Sequence, residues 1–149
     1  MTGEPNPRDE AAPAPWICHL LTLFPGFFDS PLATSIVGKA IERGEVRIEA
    51  HDIRPFAAGK HKVTDDAPYG GGAGMVMKPD PIVRALEWVE AAEIARSGVR
   101  PHRIALTPGG TPFGHRDARR LAATGAVSMV CGRYEGIDER VMDFVDEEI

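Results

Sequence analysis

Cysteine is scarce in this chain of 149 residues: Cys18 and Cys131 stand far apart, with no C-x-x-C pair. A disulfide framework and a cysteine zinc site are thereby excluded, and a reducing cytoplasm is the default compartment. No uninterrupted run of about 20 apolar residues occurs, so no membrane-spanning helix is expected. The first residues carry Glu4, Arg8, Asp9 and Glu10 among prolines instead of the apolar core of a targeting peptide. The expectation is a soluble, cytoplasmic protein. Positive charge is also in short supply, with 17 Lys and Arg against 22 Asp and Glu and a formal net charge of -5. Nucleic acid is therefore not gripped through overall charge, although a local basic surface remains open. Several demanding signatures are missing. Gly70 to Lys78 lacks the Gly-Lys-Ser/Thr of a P-loop, and no G-x-G-x-x-G joins a strand to a helix. His19, His51, His61, His102 and His115 show no H-E-x-x-H or paired ligand spacing, so no protein-bound metal is expected, and no G-x-S-x-G elbow is present.

What is present is an alternation of strand and helix patterns suited to one domain with a sizeable core. Residues 1–15, with prolines at 5, 7, 13 and 15, read as a flexible leader. Trp16 to Phe24 is a buried first strand. Phe27 to Ile41 has helical spacing with a break near Pro31, and Gly44 stops it. Val46, Ile48 and Ala50 alternate with Arg47, Glu49 and His51 as a strand with one polar face. Asp80 and Pro81 read as an N-cap and first helical position. Ile82, Ala85, Leu86 and Val89 then form an apolar stripe, and Gly98 closes that helix. Arg103 to Leu106 is a strand, His115 to Thr124 a helix and Val127 to Val130 a strand. Ile137, Val141, Phe144 and Val145 follow at helical spacing. The fold class expected is α/β with a mostly parallel sheet.

Three loops stand out. Arg54 to Gly74 loses all periodicity over a length unusual for a compact domain, and its Pro-Tyr set directly against a glycine run favours a substrate-facing loop. Residues 107–114 and 132–136 are glycine-bearing loops at strand ends, the place where ligands bind in open α/β sheets. Such loops let backbone groups approach a flat ligand, and a nucleoside-like cofactor would fit. Cys131 reads as a small apolar side chain rather than a nucleophile. Arg54, Lys60, Lys62, Arg116, Arg119 and Arg120 are candidates for phosphate contacts or for a solvated charged face.

The run from Asp65 through Pro68-Tyr69-Gly70-Gly71-Gly72-Ala73-Gly74-Met75 and the run Val130-Cys131-Gly132-Arg133-Tyr134-Glu135-Gly136-Ile137-Asp138-Glu139-Arg140-Val141 closely resemble the bacterial tRNA (guanine-N1)-methyltransferases. Leu23-Phe24-Pro25 and Lys60-His61-Lys62 look like the same family in the same order. The resemblance implies the SPOUT methyltransferase fold over residues 16–149, with S-adenosyl-L-methionine in a knotted region. It also implies a homodimer whose active sites use both subunits, and methyl transfer to N1 of the guanine 3′ of the tRNA anticodon, with magnesium associated with activity. Carried over by position, Leu106, Thr107, Pro108 and Gly110 match one cofactor loop, and Gly132, Arg133, Tyr134, Glu135 and Gly136 match another. Pro68, Tyr69, Gly70, Gly71, Gly72 and Gly74 match the loop near the target base. Ala105 and Gly109 depart from the family pattern, which has a larger and a polar residue there.

Family members continue into a third cofactor loop and a tRNA-binding domain that brings an aspartate general base and an arginine. The catalytic base is therefore expected beyond Ile149, the knot is expected to be incomplete, and the chain reads as a fragment. Two alternatives remain at this point: a shortened, non-catalytic homologue that serves as a dimerisation or binding domain, and a small-molecule methyltransferase.

Overall fold

The computed structural model describes residues 12–68 and 70–149. In chain order its elements are β1 (Trp16–Thr22), α1 (Asp29–Leu32), α2 (Ser35–Glu42), β2 (Val46–Asp52), β3 (Asp65–Asp66), β4 (Val76–Met77), α3 (Pro79–Ser97), β5 (His102–Leu106), α4 (His115–Ala122), β6 (Ala126–Cys131) and β7 (Glu147–Glu148). Five strands form one sheet in the order β2-β1-β6-β5-β7, and every pairing in it is parallel. Parallel neighbours need crossover connections, which put helices on both faces and bury the central strands twice over. That is why β1 reads as a continuous apolar run: it is buried from Ile17 to Thr22. On one face Leu21, Val130, Ile82, Leu86 and Val89 join Ile53, Met77 and Val141 in a core built on α3. On the other, Cys18, Leu20, Ile104 and Val127 pack with Leu121 of α4.

The expected α/β class and parallel sheet hold, and so do the first strand and a break near Pro31: Pro31 lies within α1, and Ala33 and Thr34 separate a short 3-10 turn and α1 from α2. α3 begins two residues earlier than the sequence suggests. Lys78 is its N-cap and Pro79 its first residue. Pro79 and Pro81 both fit because the first-turn N–H groups of a helix have no intrahelical acceptor, and Asp80 sits where it complements the helix dipole. Gly98 closes α3 at φ 76, in the left-handed region. The leader expected over residues 1–15 lies outside the described residues as far as position 11, and 12–15 have no regular structure.

The polar face of β2 turns toward α3 rather than solvent. Arg47 reaches both carboxylate oxygens of Glu93 at 2.8 and 2.9 Å, and Glu93 accepts from His19 at 2.9 Å. Burial works against a charged Glu93, yet hydrogen bonds from Ser97, Arg47 and His19 outweigh it and hold the carboxyl down to about 2.

Two stretches depart from the sequence reading. The Arg54 to Gly74 loop contains a 3-10 turn at Arg54–Phe56 and the strand β3, which pairs antiparallel with β4, so the glycine run is the tip of a hairpin. Ile137 to Val145 is not an α-helix. A 3-10 segment covers Glu139–Phe144, and the chain then extends to make β7 against β5. The reason is competition for backbone groups. Asp146 N–H donates to Arg103 and Ile149 N–H to Ala105, bonds that a continued helix would forfeit. Val141 keeps its predicted core position, while Phe144 is exposed.

Candidate functional site

Leu106 at the end of β5 lies in register with Cys131 at the end of β6, so the loops that follow them emerge side by side. Between them lies a cleft of about 170 Å³, lined by Leu106, Thr107, Pro108, Gly132, Arg133, Tyr134, Glu135, Gly136 and Ile137. Sequence reasoning had singled out eight of these nine; Ile137 is the addition. Tyr134 sits at φ 62, a left-handed conformation that a residue with a Cβ adopts at a cost of about 1–2 kcal/mol. Strain of that kind concentrates at ligand sites. Gly136 at φ 134 adopts a conformation closed to other residues. A second cleft of about 310 Å³ shares Gly132 and Arg133 and is walled by Phe24, Phe27, Phe28 and Cys131. Burial pushes the Cys131 thiol up, which disfavours the thiolate and fits its apolar reading.

The loop after β5 is clasped by β7. Thr107 N–H donates to the Ile149 carbonyl at 2.9 Å and Thr111 N–H to Glu148 at 3.0 Å, while the Thr107 hydroxyl bonds the Glu148 carboxylate. Gly110 lies outside the cleft lining. Its missing side chain has a different use: a Cβ there would come within 2.3 Å of the Ile149 backbone. Sequence reasoning missed this clasp because Asp146-Glu147-Glu148 carries none of the branched or aromatic residues that mark a strand.

The hairpin is stitched to the same site. Glu135 N–H donates to Met75 O at 3.0 Å, Met77 N–H to Gly136 O at 2.9 Å and Asp138 N–H to Met77 O at 3.0 Å. Gly74, at φ 91, lies so close to Glu135 that a Cβ would meet its Cγ at 2.4 Å. The glycine tip is thus brought next to the 132–136 loop. Pro68, Gly70, Gly71 and Gly72 are at this tip and line neither cleft. Tyr69 lies outside the described residues. Beside the hairpin runs a wider groove of about 500 Å³ over Val76, Ile137, Asp138, Glu139 and Arg140.

Charge around the cleft is arranged by specific contacts. The guanidinium groups of Arg54 and Arg133 each stand about 5 Å from the Phe24 ring centroid, at 5.1 and 5.0 Å, within cation–π range. Asp138 caps the 3-10 segment and pairs with Arg140 at 2.8 Å, and these contacts hold its carboxyl below the usual range. Of the candidate phosphate contacts, Arg120 is taken up by Glu147 and Asp117, and Lys62 donates to the Ala57 carbonyl.

A family model described as tRNA (guanine-1)-methyltransferase TrmD matches residues 17–149. The chain belongs to this family. It is 52% identical to the tRNA (guanine-N(1)-)-methyltransferase of Syntrophotalea carbinolica over 131 residues, covering 87% of this chain and 50% of that protein. It is 50% identical to the Myxococcus xanthus protein of the same name over 136 residues, or 91% of this chain and 53% of that protein. The crystal structure of the tRNA (m1G37) methyltransferase from Aquifex aeolicus superposes with a TM-score of 0.77 at 34% identity, covering 91% of this chain and 59% of that one. This family member spans about half the length of the curated relatives it matches. Its two most distinctive runs, at the hairpin tip and at 130–141, are the parts that the backbone bonds of Met75, Met77, Glu135 and Gly136 hold together.

Proposed function

We propose that residues 16–149 form the methyl-donor-binding domain of a tRNA (guanine-N1)-methyltransferase, preceded by a leader at 1–15 and acting in the cytoplasm. The observation that carries this reading is the convergence of three segments. The loops at 106–108 and 132–136 line one cleft, and Met75 and Met77, which follow the glycine run, are bonded to the second of them. Bound there, S-adenosyl-L-methionine supplies a methyl group on a positively charged sulfur. The residues present suit such a ligand. Gly132 keeps the wall low, since even a Cβ there would reach Ile137 at 3.5 Å and the Leu106 carbonyl at 3.6 Å. Those backbone groups of residues 106–108 and 132–136 that Ile149, Met75 and Met77 leave unengaged serve polar edges, and Leu106 and Ile137 serve flat apolar ones.

The substrate in this reading is the guanine 3′ of a tRNA anticodon, presented beside the glycine tip. Transfer to N1 needs its proton accepted as the bond forms. Asp138 is committed to Arg140 and held ionised by it, which makes it a weak base. We assign the base to the part of the relatives' length that this chain does not span, and no residue here is assigned to magnesium. The segment between β1 and β2 exposes Phe27, Ile36 and Val37, which supports a homodimer formed through that face. No described helix is long and apolar enough to cross a membrane.

Calorimetric titration with S-adenosyl-homocysteine tests the donor site. One equivalent per chain, lost on Gly132→Val, is the expected result; no heat with a folded sample refutes it. Methylation of an unmodified tRNA transcript, after fusion to the C-terminal half of the Myxococcus xanthus relative, tests the transfer.

A further inference from the structure

We propose that His19, Glu49 and His51 form a binding site for a divalent transition cation of the zinc class, on the face of the sheet covered by α3. This reading is independent of the methyl-donor cleft. The spacing of these residues in sequence gives no ligand signature, but the parallel register does: β1 and β2 pair His19 with Glu49 and Leu21 with His51, so all three side chains leave the same face.

The geometry is that of a tridentate site. His19 Nδ1 and His51 Nε2 are 2.9 Å apart, and Glu49 Oε2 lies 3.8 Å from the first and 3.9 Å from the second. The three atoms of this triangle share a common point about 2.1 Å from each, within the zinc–nitrogen and zinc–oxygen lengths of about 2.0–2.2 Å. Shifts of about half an ångström bring the donors to tetrahedral spacing and leave a fourth position open.

The surroundings prepare each donor. Glu93, fixed by Arg47, can only accept, so His19 carries its proton on Nε2 and turns the Nδ1 lone pair toward the site. A carboxylate on the far nitrogen of a ligating histidine is the usual outer support of a zinc site. Glu49 is oriented in the same way. Arg47 and Arg96 each donate to its Oε1 at 2.9 Å, and Oε2, which accepts no hydrogen bond among the described residues, faces the two imidazoles. The Arg47 and Arg96 charges offset those of Glu49 and Glu93, so the ion's own charge meets no surplus of either sign. A small cavity of about 100 Å³ bordered by Trp88 and Ala92 adjoins the three donors. Glu49 and His51 keep side-chain exposures of 32% and 17%, which gives an ion a way in. Two imidazoles and one carboxylate select zinc-like ions over magnesium, which prefers all-oxygen sites. On binding, His51 gives up the Nε2 proton it shares with His19, to its own Nδ1 or to solvent.

The test is titration of the chelator-stripped full chain with ZnCl₂ in competition with a chromophoric chelator, repeated with Co²⁺ and read by visible absorption. One saturable equivalent per chain is expected, with ligand-field bands for Co²⁺ and no competition from about a hundredfold excess of Mg²⁺. His51→Asn and Glu49→Gln, both partly exposed, should each weaken Zn²⁺ binding by at least about tenfold, and Glu93→Gln, which among the three donors touches His19 alone, by about 10–100-fold. Far-UV circular dichroism confirms that each variant is folded. The proposal is overturned if no saturable equivalent is bound at micromolar Zn²⁺, or if folded His51→Asn and Glu49→Gln variants bind as the parent does.

Discussion

Gly74→Ala separates two constraints that the hairpin imposes at one position. The first is conformational: at φ 91, an alanine bears about 1–2 kcal/mol of left-handed strain. The second is steric, because the new Cβ would lie 2.4 Å from Glu135 Cγ and 3.0 Å from its carboxylate. Turning Glu135 out of its rotamer costs about 0.5–1.5 kcal/mol more. A loss of about 1.5–3.5 kcal/mol in urea unfolding is therefore expected. Gly71→Ala supplies the control, since φ there is 87 but nothing lies within 4 Å of a Cβ, so it bears only the first cost. Pairing Gly74→Ala with Glu135→Ala should recover the difference between the two single variants. Because Glu135 N–H bonds Met75 O, the same clash pulls on the cleft, and affinity for S-adenosyl-homocysteine should fall with Gly74→Ala and not with Gly71→Ala. Equal costs for the two glycine variants, or no recovery in the double variant, would refute the argument.

Ser128→Ala should be neutral or stabilising by up to about 1 kcal/mol in the same assay, because the Ser128 hydroxyl is buried without a hydrogen-bond partner among the described residues. Glu93 gives the acid limb a definite sign: its folded pKa near 2 lies below the ordinary 4.5, so its stabilisation is complete above pH 4.5 and is lost as pH falls toward 2. That loss amounts to roughly 3 kcal/mol, and Glu93→Gln should flatten the pH dependence of unfolding in this window. Tyr134→Gly relieves about 1–2 kcal/mol of strain at φ 62 but loses about 0.5–1 kcal/mol to glycine's greater freedom when unfolded, so unfolding free energy should rise by no more than about 1.5 kcal/mol while donor affinity falls through the lost side chain.

The sequence was most informative where one physical signal dominated. The apolar run of β1, the stripe of Ile82, Ala85, Leu86 and Val89, and the Gly98 stop all follow from burial and backbone freedom, and they stand in the structure as read. The two strand-end loops were legible for the same reason, since glycines interrupting apolar strands have few other uses. Elements decided by long-range pairing were not. β7 is two glutamates whose partner is β5, and β3 is two aspartates whose partner lies beyond a glycine run. The meeting of His19, Glu49 and His51 depends on strand register, which spacing along the chain does not encode.

β7 has a further consequence for how this protein behaves at high concentration. It occupies one outer edge of the sheet and is only two residues long, so a strand approaching from another molecule finds little backbone to pair with. The opposite edge, β2, alternates Arg47, Glu49 and His51 with Val46, Ile48 and Ala50. The shortness of the β7 edge makes edge-to-edge growth into fibrils through it unfavourable. In the homodimer proposed above, copies would meet through the apolar residues of the segment before β2 and not through these edges.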